Sequence, residues 1–259
     1  MTFTNTSNIY ESKIIVQKYA SLNFLFKPEK IVFNQKSNLL KNAHVLDIGV
    51  GGGRTSQWLI PICKSYIGID VSNQMIEFCK KKFKHYKNAV FHRIDASHIT
   101  DYFNNESFDF ILFSFNGIDC IPYHLRDKTL ISIFNILKNN GYFFYSFHNI
   151  RNLPKLFSLS LGKNFFKWFE RYNRYKRLNK LYPHFKNFLK ENYVSILDGS
   201  ENFGIEVVYT KPEYEIEKLK EIGFSNIHIY EFSQSWELNE HELQKFFDSW
   251  IYVLCQKKL

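Results

Sequence analysis

One stretch narrows the folds open to this chain more than any other: residues 44–55, HVLDIGVGGGRT. An apolar run, 45–48, leads straight into a glycine-rich turn, and the spacing predicts a helix from about Thr55. Glycine lacks a Cβ and takes positive φ readily, so a flat ligand can lie against the main chain there. Strand, glycine turn and helix in that order form the first unit of a nucleotide-binding α/β sheet. A dinucleotide fingerprint reads G-x-G-x-x-G, with its last glycine at the helix start. Gly49 and Gly51 fit that spacing, but the third position is Arg54. The spacing present is D-x-G-x-G-x-G, in which the acid Asp47 closes the strand.

The chain then keeps a strand-helix rhythm, the mark of a parallel α/β sheet. Residues 9–40 read as helical, on Tyr10, Ile14, Tyr19 and Leu22 and then on 29–33. After the first strand and its helix, which Pro61 limits, strand 2 is expected over 66–69, ending at Asp70. Ser72 is placed to cap a helix through Phe83. Strand 3 is expected near 89–94, strand 4 over 110–115, a helix over 126–137 and strand 5 over 142–147. Strand 4 is apolar throughout and so buried on both faces. At residue 151 the rhythm breaks. Phe165, Trp168, Phe169, Tyr172 and Tyr175 recur at helical spacing among basic residues, which reads as an inserted helical segment. A strand over 203–209 follows, then a helix from Pro212 to about Ile222 closed by Gly223, and strands over 226–232 and 250–255. The expected fold class is α/β, a Rossmann-like, seven-stranded, mostly parallel sheet with a helical insertion after strand 5. Its expected parts are an N-terminal helical segment (1–40), a ligand-binding core (41–150), an inserted basic lid (151–210) and the C-terminal part of the core sheet (211–259).

Charge is concentrated in one place. The net charge is +9, yet residues 151–190 alone hold eleven Lys or Arg against one acid, Glu170, so the rest of the chain is about neutral. Residues 1–11 are polar and lack the apolar centre of a signal peptide. The longest apolar run, 108–115, is interrupted by Asp109 and is too short to span a bilayer. The expectation is a soluble, cytoplasmic protein. Cys63, Cys79, Cys120 and Cys255 form no C-x-x-C pair, which argues against a zinc site and a disulfide framework.

The D-x-G-x-G-x-G pattern resembles motif I of the class I S-adenosylmethionine (SAM) dependent methyltransferases. Further stretches resemble the small-molecule members of that class, the sugar and surface-polysaccharide type: GIDVSNQMI (68–76), IDAS (94–97), SFNGID (114–119), LKNNGYFFYSFHN (137–149), YTKPEYEIEKLKEIGF (209–224) and WIYVLC (250–255), with Tyr19 and Glu29 upstream. The usual proline-glycine before strand 5 is replaced by Asn139 and Asn140. The chemistry agrees with the resemblance. SAM has no pyrophosphate; it carries an ammonium and a sulfonium, which favour a nearby carboxylate. The resemblance implies SAM as cofactor and S-adenosylhomocysteine as product, with Asp47, Gly49 and Gly51 around the methionine part. Asp70 would accept from both ribose hydroxyls; a capping or surface role is its alternative. Val71 and Met75 would pack on adenine or simply in the core. Asp95 would accept from the adenine amino group, with Ala96 supplying a backbone N–H, or else act in a turn. Phe115 and Asn116 would lie near the transferring methyl.

The same comparison makes the acceptor a small polar molecule, foremost a hydroxyl of a sugar or of a nucleotide-linked or phosphorylated sugar. An amino sugar nitrogen, a nucleic acid and a SAM-binding module without catalysis are alternatives, as is an NAD-dependent dehydrogenase. No N-P-P-Y-like motif follows strand 4, which speaks against nucleic-acid amino methylation. Arg171 and Arg174 in the basic segment are candidate contacts for an anionic acceptor, and Tyr10 is a candidate substrate or SAM contact. Arg54 with Glu29 reads as a structural ion pair behind the glycine loop. His148 leaves strand 5 at the C-terminal edge of the sheet, where ligands bind, and imidazole suits a base at neutral pH. Asp119 and His124 compete with it for that role, and capping the turn into the insertion is its alternative. No metal is expected, and the oligomeric state is open.

Overall fold

In the computed structural model, residues 9–159, 165–233, 237–238, 243 and 248–258 are described, without the side chains of 165–168 and 237–238. The expected aromatic positions Phe165 and Trp168 therefore lie outside the described side chains.

Three helices precede the sheet: α1 (Lys13–Ala20), α2 (Lys27–Gln35) and α3 (Ser37–Leu40). Helix α2 starts where it does because Pro28 sits in its first turn and the Glu29 carboxylate accepts from the Phe26 N–H at 2.8 Å. Strand β1 (His44–Ile48) is followed by the glycine turn and the short helix α4 (Ser56–Leu59). Strand β2 (Ser65–Asp70) leads into α5 (Asn73–Lys82), which Ser72 caps by accepting from the Met75 N–H. Then come β3 (Ala89–Arg93), β4 (Phe108–Phe113), α6 (Tyr123–Ile136) and β5 (Leu137–Asn149). Strand 4 ends two residues earlier than its apolar pattern implies, so Phe115 lies in the turn at φ 59° rather than in the strand.

The segment after β5 carries helices α7 (Leu153–Leu156) and α8 (Phe165–Leu181), as its spacing predicts. It also holds a strand that the spacing did not show, β6 (Tyr193–Leu197), which pairs antiparallel with β7 (Glu206–Thr210). Helix α9 (Pro212–Ile222) ends at Gly223 with φ 114°, followed by β8 (Phe224–Glu231), β9 (Glu237–Leu238) and β10 (Trp250–Lys257).

The sheet order is β3-β2-β1-β4-β5-β10-β8, with β9 beyond β8. Pairs among β1 to β5 along this order are parallel, and β10 runs antiparallel to both β5 and β8. The seven strands β3 to β8 of this order are the expected mostly parallel sheet, and β9, β7 and β6 extend it to ten among the described residues. Side chains alternate between its faces. Phe143, Tyr145 and Phe147 pack with Leu130 and Ile216 on one side, while Phe144 packs with Val32 and Phe33 on the other. Each such side chain contributes about 1.5–3 kcal/mol on burial, which fixes the strand ends that carry the site. Among the described residues, no helix is long and apolar enough to cross a membrane.

Candidate active site

A cleft opens at the carboxyl ends of β1 to β4. Asp47, Gly49, Gly51, Asp70, Val71, Met75, Asp95, Ala96 and Phe115 all line it, together with Tyr10 and Tyr19. Gly49 and Gly51 hold φ of 66° and 52°, which bends the chain sharply out of β1. Gly52 is needed for closeness: a Cβ there would meet the Ala20 backbone at 2.6 Å, so α1 packs directly onto the loop.

Asp70 is organised by backbone. Its Oδ2 accepts from the Gly51 N–H and its Oδ1 from the Ser72 N–H, both at 2.9 Å. Each oxygen keeps a second lone pair for a ligand hydroxyl. Burial raises its pKa, against the two backbone hydrogen bonds that lower it. Asp47 is 1% exposed and accepts from the Thr55 hydroxyl at 2.5 Å and the Tyr66 hydroxyl at 2.6 Å. Burial pushes it up to about 6 despite those two donors. Asp95 uses Oδ1 to accept from the Ser97 N–H and hydroxyl, so it makes the turn after β3 while lining the cleft.

The N-terminal segment closes one side. The Glu11 carboxylate accepts from the Asn73 and Gln74 N–H groups at the start of α5, and the Ser72 hydroxyl donates to the Tyr10 carbonyl at 2.9 Å. These contacts bring the Tyr10 and Tyr19 rings edge to face over the cleft, 5.9 Å apart. Arg54 makes the ion pair that its position implies. Both its terminal nitrogens donate to Glu29 at 2.6 Å, and one also donates to the Ser114 hydroxyl at 2.7 Å. Its guanidinium lies over the Phe26 and Phe115 rings. The described lining therefore presents three carboxylates, Asp47, Asp70 and Asp95, while the charge of Arg54 is spent on Glu29. Such a lining fits a cationic ligand.

Beside the cleft, and lining no part of it, His148, Asn116 and Asp119 form a second cluster assembled across strands. Strand β4 stops at Phe113, paired with Tyr145, and β7 takes its place beside β5, with Tyr209 opposite His148. Strand β10 sets Trp250 opposite His148 on the other side. His148 thus lies between two rings, at centroid distances of 4.8 Å to Tyr209 and 6.0 Å to Trp250. Trp250 in turn touches Phe115 at 5.1 Å. Phe115 and Asn116 both take left-handed backbone, at 59° and 56°. For a residue as bulky as Phe this is strained, and such strain concentrates at functional sites. The turn brings the Asn116 side-chain amide to 3.2 Å from His148 Nε2. Asp119, fully buried, accepts on Oδ2 from the His148 N–H at 2.6 Å and from Nδ1 at 2.8 Å.

Three further predicted residues lie away from both the cleft and the His148 cluster. His124 is exposed in the first turn of α6 and does not line the cleft. Arg171 is exposed on α8, and Arg174 donates from Nε to the Asp198 carbonyl at 3.1 Å; neither lines the cleft. Both lie along the stripe of α8 that carries buried Leu178, and that stripe packs with Ile196 and Val207 of β6 and β7 rather than with the cleft. Tyr209 and Trp250, which flank His148, had no assigned role in the sequence. Arg126 and Glu215 were also passed over, although each is a charge at an apolar position of its helix: Arg126 precedes Leu130 and Ile133, and Glu215 adjoins Ile216 and Leu219. That misfit is a readable sign of a buried polar partner.

Residues 45–141 match the model of a methyltransferase domain family. A ubiquinone biosynthesis O-methyltransferase from Pelagibacter ubique is 27% identical over 131 residues, which are 50% of this chain and 52% of that protein. The chain thus spans about half the length of that curated relative. A SAM-dependent methyltransferase from Methanosarcina mazei superposes with a TM-score of 0.60 at 18% identity, over 92% of this chain and 100% of that one. The 1,6-didemethyltoxoflavin N1-methyltransferase of Burkholderia thailandensis, solved with S-adenosylhomocysteine, gives 0.57 at 12% identity over 90% and 77%. Residues 45–141 thus match a methyltransferase domain model, and the chain has the fold of the SAM-dependent methyltransferases on which it superposes.

Proposed function

We propose that the chain transfers a methyl group from SAM to a hydroxyl of a small acceptor, with His148 as general base. The observation that carries this reading is the pair His148–Asp119. Asp119 accepts a hydrogen bond from Nδ1–H, a tautomer that leaves Nε2 of the neutral ring without a proton. That nitrogen lies 3.2 Å from the Asn116 side-chain amide, which an acceptor hydroxyl would displace; Asn116 is flanked in sequence by the cleft-lining residues Phe115 and Gly117. When bound, SAM supplies a methyl already activated on a positive sulfur. What remains for the chain is to hold the acceptor oxygen in line, to exclude water and to take the hydroxyl proton at Nε2 as the carbon–oxygen bond forms. Asp70 and the glycine loop hold the nucleoside, Asp47 attracts the ammonium, and Tyr10 and Tyr19 cover the cleft. Asp119 acts as orienter of His148 rather than as base, because both its oxygens already accept hydrogen bonds.

Two features bear on the acceptor. The eleven basic residues of 151–190 support an anionic molecule, such as a nucleotide-linked or phosphorylated sugar of the kind used for surface polysaccharides. The ring contacts among Tyr209, His148, Trp250 and Phe115 support an acceptor with a flat face. A nucleotide-linked sugar meets both. A phenolic hydroxyl meets the second and is the other reading, favoured by the O-methyltransferase relative. Radiolabelled SAM offered with a panel of sugar nucleotides, sugar phosphates and phenols tests the proposal. Label transfer to a hydroxyl that fails in His148→Ala is expected. Transfer only to amines, or none to any member while S-adenosylhomocysteine binds, contradicts it.

A further inference from the structure

Behind the His148–Asp119 pair lies a buried charge cluster that the transfer reaction does not touch. Arg126 is 1% exposed. One terminal nitrogen donates to Asp119 Oδ1 at 2.8 Å and to the Ile118 carbonyl at 3.1 Å; the other donates to Glu215 Oε1 at 2.8 Å. Tyr145, on the sheet, donates to the same Glu215 oxygen at 2.8 Å. The side chains of Asp119, Arg126 and Glu215 are all at or below 3% exposure. Two carboxylates therefore face one guanidinium.

A buried ion cluster is poor evidence of stability, since apolar side chains of similar volume serve as well or better. Its geometry has a more specific consequence. Asp119 must present Oδ2 to two donors of one residue, the main-chain N–H and Nδ1 of His148. It can do so only while its other oxygen is held, and Arg126 holds it. The charge count points the same way. With the imidazole neutral, the cluster carries one negative charge in excess; with an imidazolium it is balanced.

We propose that Arg126 and Glu215 are positioning residues of the base: Arg126 locks the Asp119 rotamer that keeps the Nδ1 proton in place, and Glu215 supplies the excess negative charge that the protonated ring neutralises. This rests on the reading of His148 as base. Other groups facing His148 do not supply that charge. From β7, Tyr209 offers a ring whose hydroxyl is bound to Asp198 Oδ2 at 2.8 Å; from β10, Trp250 offers a neutral ring; from the turn after β4, Asn116 offers a neutral amide. Arg174 reaches only the Asp198 carbonyl.

The test needs no acceptor. The full chain is labelled with ¹⁵N-histidine, saturated with S-adenosylhomocysteine, and the ring nitrogens of His148 are followed through a pH titration. His148→Gln identifies the signals, and thermal melts confirm that each variant is folded. The wild-type neutral ring is expected to carry its proton on Nδ1. Arg126→Lys, which keeps a cation but cannot span both carboxylates, is expected to shift neutral His148 toward the Nε2-protonated tautomer. Glu215→Gln, which keeps shape and hydrogen bonding, is expected to keep the tautomer and to disfavour the protonated ring, moving the midpoint to lower pH. An unchanged tautomer in folded Arg126→Lys, or an unchanged midpoint in folded Glu215→Gln, overturns the proposal. If both shifts occur yet His148→Ala still methylates at full rate, the positioning stands and the base assignment falls.

Discussion

The proposed site has two halves, the cleft and the His148 cluster beside it, and they are built in different ways. At the cofactor half, main chain holds the acids: Gly51 meets Asp70 across 19 residues and Ser97 meets Asp95 across two, while Glu11 reaches Asn73 across 62. At the acceptor half, His148 meets Asp119 across 29 residues and Arg126 meets Glu215 across 89, while Tyr209 and Trp250 arrive from the insertion and from the last strand. The cofactor half uses backbone geometry, in which a loop of glycines and strand-end acids leaves little to side-chain choice. The acceptor half uses side chains held by other side chains. One cofactor with a fixed shape needs the first kind of site, and a variable acceptor is served by the second, since the inserted segment changes it without disturbing the first.

The largest effect should appear where the acceptor half meets chemistry. His148→Ala is expected to lower kcat by about 10²- to 10⁴-fold, the usual contribution of a general base. S-adenosylhomocysteine affinity should stay as it was, and the acidic limb of the pH–rate profile should vanish. Steady-state kinetics on the acceptor found by the panel, with calorimetry beside them, separates the two halves. Loss of ligand affinity with loss of rate would show that the halves are not independent.

Next in size is the joint between the halves. Glu29→Ala leaves Arg54 buried without its partner, between Phe26 and Phe115. Breaking a buried pair by removing one member costs about 3–5 kcal/mol. Urea unfolding of wild type and variant checks this; a difference under about 1 kcal/mol would mean that the pair is replaceable by water.

A smaller effect belongs to Asp47 and depends on pH. Its pKa in the fold, about 6, stands above its ordinary 3.8 because it is buried. The stability it contributes is therefore full below about 3.8 and lost as pH rises through about 6. A cationic ligand favours the ionised form, so S-adenosylhomocysteine affinity should increase from about pH 5 to about pH 7, and Asp47→Asn should flatten that dependence. Calorimetry across this range decides it, and a pH-independent affinity in wild type would separate Asp47 from the ligand ammonium.

The smallest effect is expected at the exposed basic residues of the insertion. Arg171 and Lys176 are exposed and line no part of the cleft. Replacing both by Gln should change kcat/KM for an anionic acceptor by at most about tenfold and reduce its salt dependence, through steering alone. Rates measured at low and high salt test this, and a larger loss unaffected by salt would put those side chains in direct contact with the acceptor.

The same division explains what the sequence disclosed. The succession of strands and helices, the glycine turn, the Ser72 cap, the Pro212 start and the Gly223 stop rest on local patterns, each legible within a few residues. The three cleft acids were legible because each lies at or just past a strand end. The Arg54–Glu29 pair was legible from its place behind the loop. The acceptor half resisted for a physical reason. A histidine after a strand is common, and what gives His148 its meaning is a carboxylate in one turn, a guanidinium in α6 and a second carboxylate in α9. The strand β6 was hidden among basic residues, and the solvated outer face of α8 resembled a binding face because both are rich in Arg and Lys.

The central claim is that a SAM-type ligand sits on the glycine loop with its ribose on Asp70. The most direct measurement is the affinity of S-adenosylhomocysteine for wild type and for Asp70→Ala, by titration calorimetry on protein shown to be folded. Losing a hydrogen bond to a charged group costs about 1.5–3 kcal/mol, or roughly one to two orders of magnitude in Kd. A loss of that size is the predicted result. Equal affinity in a folded variant would contradict the assignment and remove the ligand from the end of β2.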